Sequence, residues 1–285
     1  ELLQYSANNA KPLCVNAGMI RQLSTYNYRM KINSVTARKA LVIADPQLDG
    51  YCNQLRGARE EGILVAGKLK EYGYDTIENI NRNTSEVIQS LMQDEYKIIH
   101  LAGHGVFNDD ITKPSGMLIG KNRFLSTREI SQMSTVPEFV FVNCCFLGKA
   151  DGEAEQLFRD RYKLAANIGT QLIENGVKAV IAAGWAVDDA AAKRFTEVFY
   201  DKMFHGYEFS EAVKEARNTA FNEYPANNTW GAYQCYGDPF YKFADTTRKV
   251  NGNPYSYIIS NEAEIDLDNI LNRIDTSIYD NKQLL

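Results

Sequence analysis

No apolar run in the 285 residues approaches the ~20 needed for a membrane-spanning helix, so no membrane association is expected. Lys and Arg nowhere cluster into a basic footprint and the net charge is −5, which argues against direct nucleic-acid binding. A phosphate loop and a glycine-rich dinucleotide fingerprint are both missing, since Gly57 and Gly62 fall inside a helical pattern. No cofactor is therefore expected. A disulfide framework needs regularly spaced pairs, and the five cysteines (Cys14, Cys52, Cys144, Cys145, Cys235) are odd in number, irregular and in one place adjacent. Reduced thiols in a cytoplasmic setting follow. The chain also lacks internal repeats and low-complexity tracts. Its start shows no signal peptide, and Glu1 in place of Met is what a piece of a longer chain would give.

What is present is an ordinary globular composition, 45% hydrophobic and 24% charged, enough for one large α/β domain with extensions or for two small ones. Residues 1–39 have no clear period and read as an N-terminal linker or an edge-packing extension. The first buried strand is Ala40–Ala44, stopped at Asp45-Pro46, and a helix follows from Leu55 to Tyr72. Asp75–Ile80 reads as a short strand, and Asn83-Thr-Ser-Glu86 has capping-box spacing at a helix start. A second such spacing is Ser126–Glu129, after a hairpin over Gly116–Leu125. A helix at Leu164–Glu174, a strand at Val177–Ala183, helices at 190–204 and 210–222 and a last strand at Thr229–Tyr236 complete the pattern. Strands alternating with helices of this length predict an α/β fold with a mostly parallel sheet covered on both faces. Residues 244–285 turn polar and acidic, with one helix candidate around 262–274, and form a C-terminal extension.

Two further strands carry chemistry at their ends. Lys97–Gly105 closes on His104-Gly105, and Glu138–Gly148 closes on Cys144-Cys145-Phe-Leu-Gly. Ligands and reactions gather beyond the carboxyl ends of strands in open parallel sheets. A thiolate nucleophile needs a neighbouring base, which His104 supplies to Cys145. It also needs donors for the developing oxyanion, here the backbone N–H groups of Gly105 and Cys145. The order His before Cys, and the size of the gap, are near those of caspases. His100, inside its strand, reads as a core histidine, and Cys144 faces the opposite side from Cys145. That same alternation disfavours a zinc site built from His100, His104, Cys144 and Cys145, so no metal is expected. Trp185 and Asp188-Asp189 follow a third strand end, either as a core aromatic and a helix N-cap or as walls of a substrate pocket. Asp45 is another carboxylate at a strand end. These acids, with no Arg cluster opposite them, favour a basic residue before the scissile bond. The charged stretch 149–163, with Arg159, Arg161 and Lys163, reads as a solvated loop, with self-cleavage as the alternative.

Several motifs resemble the CHAT domain, a caspase-like member of the caspase–separase group of cysteine peptidases. They are His100-Leu-Ala-Gly-His104-Gly105, Val142-Asn-Cys-Cys145-Phe-Leu-Gly148, Gly176–Asp189, Phe199-Tyr200, Ala212–Arg217 and Trp230–Pro239. The resemblance covers about 40–243. It implies a caspase-like three-layer sandwich and a Cys/His dyad of Cys145 and His104 without a third member. Asn143 and Cys144 stand where the family motif has Ser and Ala, and Leu147 where Ser or Thr is common. The resemblance further implies a protein substrate, an upstream regulatory or sensor partner, and triggered proteolysis in bacterial defence against phage. A catalytically inactive CHAT interaction module is the alternative.

Overall fold

The computed structural model describes residues 11–23, 35, 37–106, 115–146 and 165–243, with Leu267 and Leu271. Among them the strands are β1 (Lys39–Ala44), β2 (Asp75–Ile80), β3 (Ile98–Val106), β4 (Gly116–Gly120), β5 (Arg123–Leu125), β6 (Phe139–Phe146), β7 (Ala179–Ala183) and β8 (Tyr233–Gly237). The helices are α1 (Leu13–Ala17), α2 (Arg56–Glu71), α3 (Thr84–Gln93), α4 (Thr127–Ser131), α5 (165–174), α6 (Asp189–Phe204), α7 (Phe209–Glu223) and α8 (Thr229–Ala232). Sheet order is β2-β1-β3-β6-β7-β8, parallel throughout except for β8, with the β4–β5 hairpin attached to β3.

The four central strands are apolar on both faces because both faces are covered. On one side Val42, Ile98, Phe139, Phe141 and Ile181 pack against α2, α6 and α7 in a largely aromatic layer. There Phe139 stacks on Phe199 with ring centroids 5.4 Å apart, and Phe195 stacks on Tyr233 at 4.1 Å. On the other side Leu41, Ile43, Ile99, Leu101, Val140 and Val142 meet α3, α4 and α5. The result is an α/β/α sandwich, as expected. Both capping boxes form, Asn83 with Glu86 and Ser126 with Glu129, satisfying the first N–H groups of α3 and α4.

The N-terminal residues 11–23 pack onto this domain. Arg217 is buried in α7 and donates to the carbonyls of Cys14 (3.3 Å), Met19 (2.9 Å) and Tyr233 (2.7 Å). Arg21 bridges to the edge of β8 through its N–H to Cys235 O and its carbonyl from Gly237 N. Gly18 ends α1 at φ 57°, and a Cβ there would lie 2.5 Å from Ser210 O. The closing strand begins later than its composition suggested. Thr229–Ala232 is a helical turn, because Asn227 holds it locally: its side chain accepts from Thr229 N and its carbonyl from Trp230 Nε1. The strand proper is Tyr233–Gly237 and runs antiparallel to β7. The helix candidate around 262–274 lies outside the described residues apart from Leu267 and Leu271.

Candidate active site

β3 and β6 outrun their neighbours. β1 stops opposite Ala102 and β7 opposite Val142, while β3 and β6 stay paired up to Gly105 and Phe146. The strand ends that carry His104 and Cys145 therefore form a two-stranded projection at the carboxyl edge of the sheet. Its register pairs Ala102 with Asn143 and His104 with Cys145. This projection adjoins the switch point between β1 and β3, where the chain changes its direction of winding and crevices open. Gly105 is buried between Phe146 of β6 and Met117 of β4. Leu147, Gly148 and the 149–163 stretch lie outside the described residues.

His104 is partly exposed, and its Nε2–H donates to the carbonyl oxygen of Asn53 at 2.7 Å. That bond fixes the tautomer and leaves Nδ1 as the basic nitrogen. No sequence motif announces Asn53, because the orienting group is main chain and any residue type provides it. What holds the carbonyl in place is Asp45. Its Oδ1 accepts from Gln54 Nε2 and Leu55 N, both at 2.7 Å, and its Oδ2 from Arg59 Nε at 2.9 Å and Nη2 at 2.7 Å. These four donors match the roughly four lone-pair sites of a carboxylate. Asp45 is 2% exposed, so its arginine partner is the protein's own and a substrate cation has no access to it. The expected substrate-binding acid is instead a brace for the loop whose Asn53 carbonyl orients His104.

His100 is completely buried between the rings of Phe141 and Tyr200, with centroids 4.9 and 5.8 Å away. Its Nδ1 lies 3.2 Å from Tyr200 Oη and its Nε2 faces Glu61 at 3.0 Å. It is the core histidine the strand pattern predicts. Cys144 is buried in the apolar layer on the opposite face of the sheet.

The acids after β7 separate into two roles. Asp188 caps α6 by accepting from Ala191 N at 3.0 Å, while its own N–H donates to Thr229 Oγ1 at 2.9 Å. Asp189 points back onto the first turn of α2. A Cβ placed on Gly57 would lie only 2.3–2.7 Å from its carboxylate atoms. No cation among the described residues pairs with it. Burial pushes the Asp189 carboxyl above the usual range, with further increments from the negative charges of Asp188, Glu61 and Glu60. Gly57 is four positions past Asn53, so one loop and helix start touch both His104 and this carboxylate. Trp185 is half-buried at the same end of β7, and its Nε1 is buried without an acceptor among the described residues.

A family model described as CHAT domain matches residues 6–238. No curated protein matches the chain. Among solved structures the chain is similar to the Arg-specific cysteine proteinase gingipain R, at 16% identity and a TM-score of 0.46 over 74% of this chain and 49% of that one. It is also similar to a chain in the complex of Porphyromonas gingivalis RgpB pro- and mature domains, at 14% identity and 0.47 over 74% and 50%. The chain thus spans about half the length of these solved relatives.

Proposed function

The chain belongs to the CHAT domain family of caspase-like cysteine peptidases, and on that premise we propose that it cleaves protein substrates after a basic residue. The observation that carries the reading is the pairing of His104 with Cys145 at the sheet's carboxyl edge, with His104 oriented by Asn53. Nδ1 of His104 takes the thiol proton of Cys145, and the sulfur attacks the scissile carbonyl carbon. The N–H groups of Gly105 and Cys145 hold the oxyanion. As the C–N bond breaks, His104 returns its proton to the leaving amine. Water, deprotonated by the same nitrogen, then cleaves the thioester and regenerates the thiol. Asp189 receives the cationic side chain before the scissile bond, beside Trp185, and Asp188 supplies the helix start that aims it.

A panel of fluorogenic peptides varied only in the residue before the bond tests this. Arg and Lys peptides turned over by the wild type and not by Cys145→Ala support it. A preference for acidic or apolar residues removes the specificity. Equal background rates for wild type and Cys145→Ala favour the inactive interaction module instead.

We also propose, from the family resemblance, that an upstream sensor or partner triggers this activity in the cytoplasm in bacterial defence. Reconstitution of the full-length protein with its trigger tests this, and constitutive activity indifferent to any upstream segment counts against it.

A further inference from the structure

Glu61 sits on the core-facing side of α2, 2% exposed, between Gly62, Val65 and Ala66. Burying a carboxylate costs several kcal/mol unless donors surround it. Three groups face it. Asn143 Nδ2 donates to Oε2 at 2.6 Å, Thr196 Oγ1 of α6 donates to Oε1 at 3.4 Å, and His100 Nε2 lies 3.0 Å from Oε1. The other nitrogen of His100 meets Tyr200 Oη at 3.2 Å. Among the described residues, no Lys or Arg joins the cluster.

The positions of these partners on the sheet give the carboxylate its leverage. Asn143 lies two residues before Cys145 on β6, and His100 four residues before His104 on β3. His100 is level with Phe141, so the two contacts to one carboxylate cross the strand pair diagonally. A diagonal tie resists sliding of one strand along the other, a motion that shifts the nucleophile against the base. Each residue of a strand advances about 3.3 Å, so a fraction of one residue's slip disrupts the dyad.

We propose that Glu61 is a positioning residue: through Asn143 and His100 it fixes the height of the Cys145 strand against the His104 strand. This rests on the cysteine peptidase reading of the same site. It also gives a task to Asn143, which stands where the resembling motif has Ser.

The test reverses the polarity of the tie. Asn143→Asp faces Glu61 with a second carboxylate in place of a donor, so the tie between β6 and α2 is lost. Adding Glu61→Gln restores one donor and one acceptor: the new amide donates to the introduced carboxylate and keeps an oxygen facing His100. The readouts are kcat and KM on the best peptide, the alkylation rate of Cys145 by iodoacetamide, and the melting temperature. Misplacement by about 1 Å costs on the order of 100-fold, so Asn143→Asp is expected to lower kcat about 10- to 100-fold, with KM nearly unchanged. Cys145 alkylation slows in parallel, and the double variant recovers most of both. The proposal is overturned if Asn143→Asp only melts earlier while its folded form keeps wild-type kcat and alkylation, or if the double variant recovers nothing. Wild type with neither turnover nor fast Cys145 alkylation removes the peptidase reading itself, and this proposal with it.

Discussion

Gly57→Ala is the sharpest probe of substrate choice because it moves Asp189 without altering it. The new methyl would lie 2.3 Å from Asp189 Cγ, 2.4 Å from Oδ2 and 2.7 Å from Oδ1, inside any allowed contact. The side chain is the end that gives way, so the carboxylate swings off the first turn of α2. The helix itself gains, since Ala in place of Gly within a helix is worth about 0.5–1 kcal/mol. For a domain of this size, a gain of ~1 kcal/mol raises the melting temperature by roughly 2–4 °C. A hydrogen bond to a charged group contributes about 1.5–3 kcal/mol, and each 1.36 kcal/mol is tenfold in rate. Gly57→Ala is thus expected to lower kcat/KM for Arg and Lys peptides about 10- to 150-fold. Peptides with Leu or Ala before the bond should keep their rates, and Asp189→Asn should give the same pattern. Steady-state kinetics on matched peptides, with calorimetry on each variant, measures all of this. The reasoning is refuted if Gly57→Ala and Asp189→Asn are folded and still prefer Arg, or if rates fall equally for every peptide.

Asp45→Asn cannot accept from all four of its donors and should cost about 2–3 kcal/mol in urea unfolding. Its loosening of the Asn53 loop lowers kcat for every peptide alike and leaves their ranking unchanged. Arg217→Met strips the donors from three backbone carbonyls and should cost at least ~3 kcal/mol in the same assay. Because the Asp189 carboxyl titrates above the usual range, the preference for Arg over Leu peptides should fade on acidification at a higher pH than for an ordinary Asp. For stability the sign is opposite to the usual acid. A raised folded pKa favours the protonated form, so this stabilisation is present below the unfolded pKa and is lost as pH rises through the folded one. Asp189→Asn should therefore flatten the pH dependence of stability in that window.

The strands were legible because both-sided burial writes continuous apolar runs, as in Phe139–Val142, and the capping boxes because their spacing is local. The strands of the proposed dyad were legible for the same reason: His104 and Cys145 each follow such a run, although the gap between them in the chain is long. Less accessible were the ties made through main chain. Asn53 orients His104 by a carbonyl, and residues 11–23 are fixed by carbonyls facing Arg217, so side-chain identity carries no trace of either. Asp45, Asp188 and Asp189 look alike in sequence, each an acid just past a strand. Only the donors around them separate a loop brace, a helix cap and a carboxylate with no cation partner among the described residues. Glu61 was hidden for a different reason, since it sits within a charged run, Arg59-Glu60-Glu61, where an exposed face is the ordinary expectation.

The most direct test of the dyad is covalent labelling with an electrophilic arginine-type peptide probe, mapped by mass spectrometry on wild type, Cys145→Ala and His104→Ala. The account predicts label on Cys145 in the wild type, none at position 145 in Cys145→Ala, and little on Cys145 once His104 is removed. Label on Cys145 that forms equally fast without His104, or label confined to other cysteines such as Cys52, would contradict it.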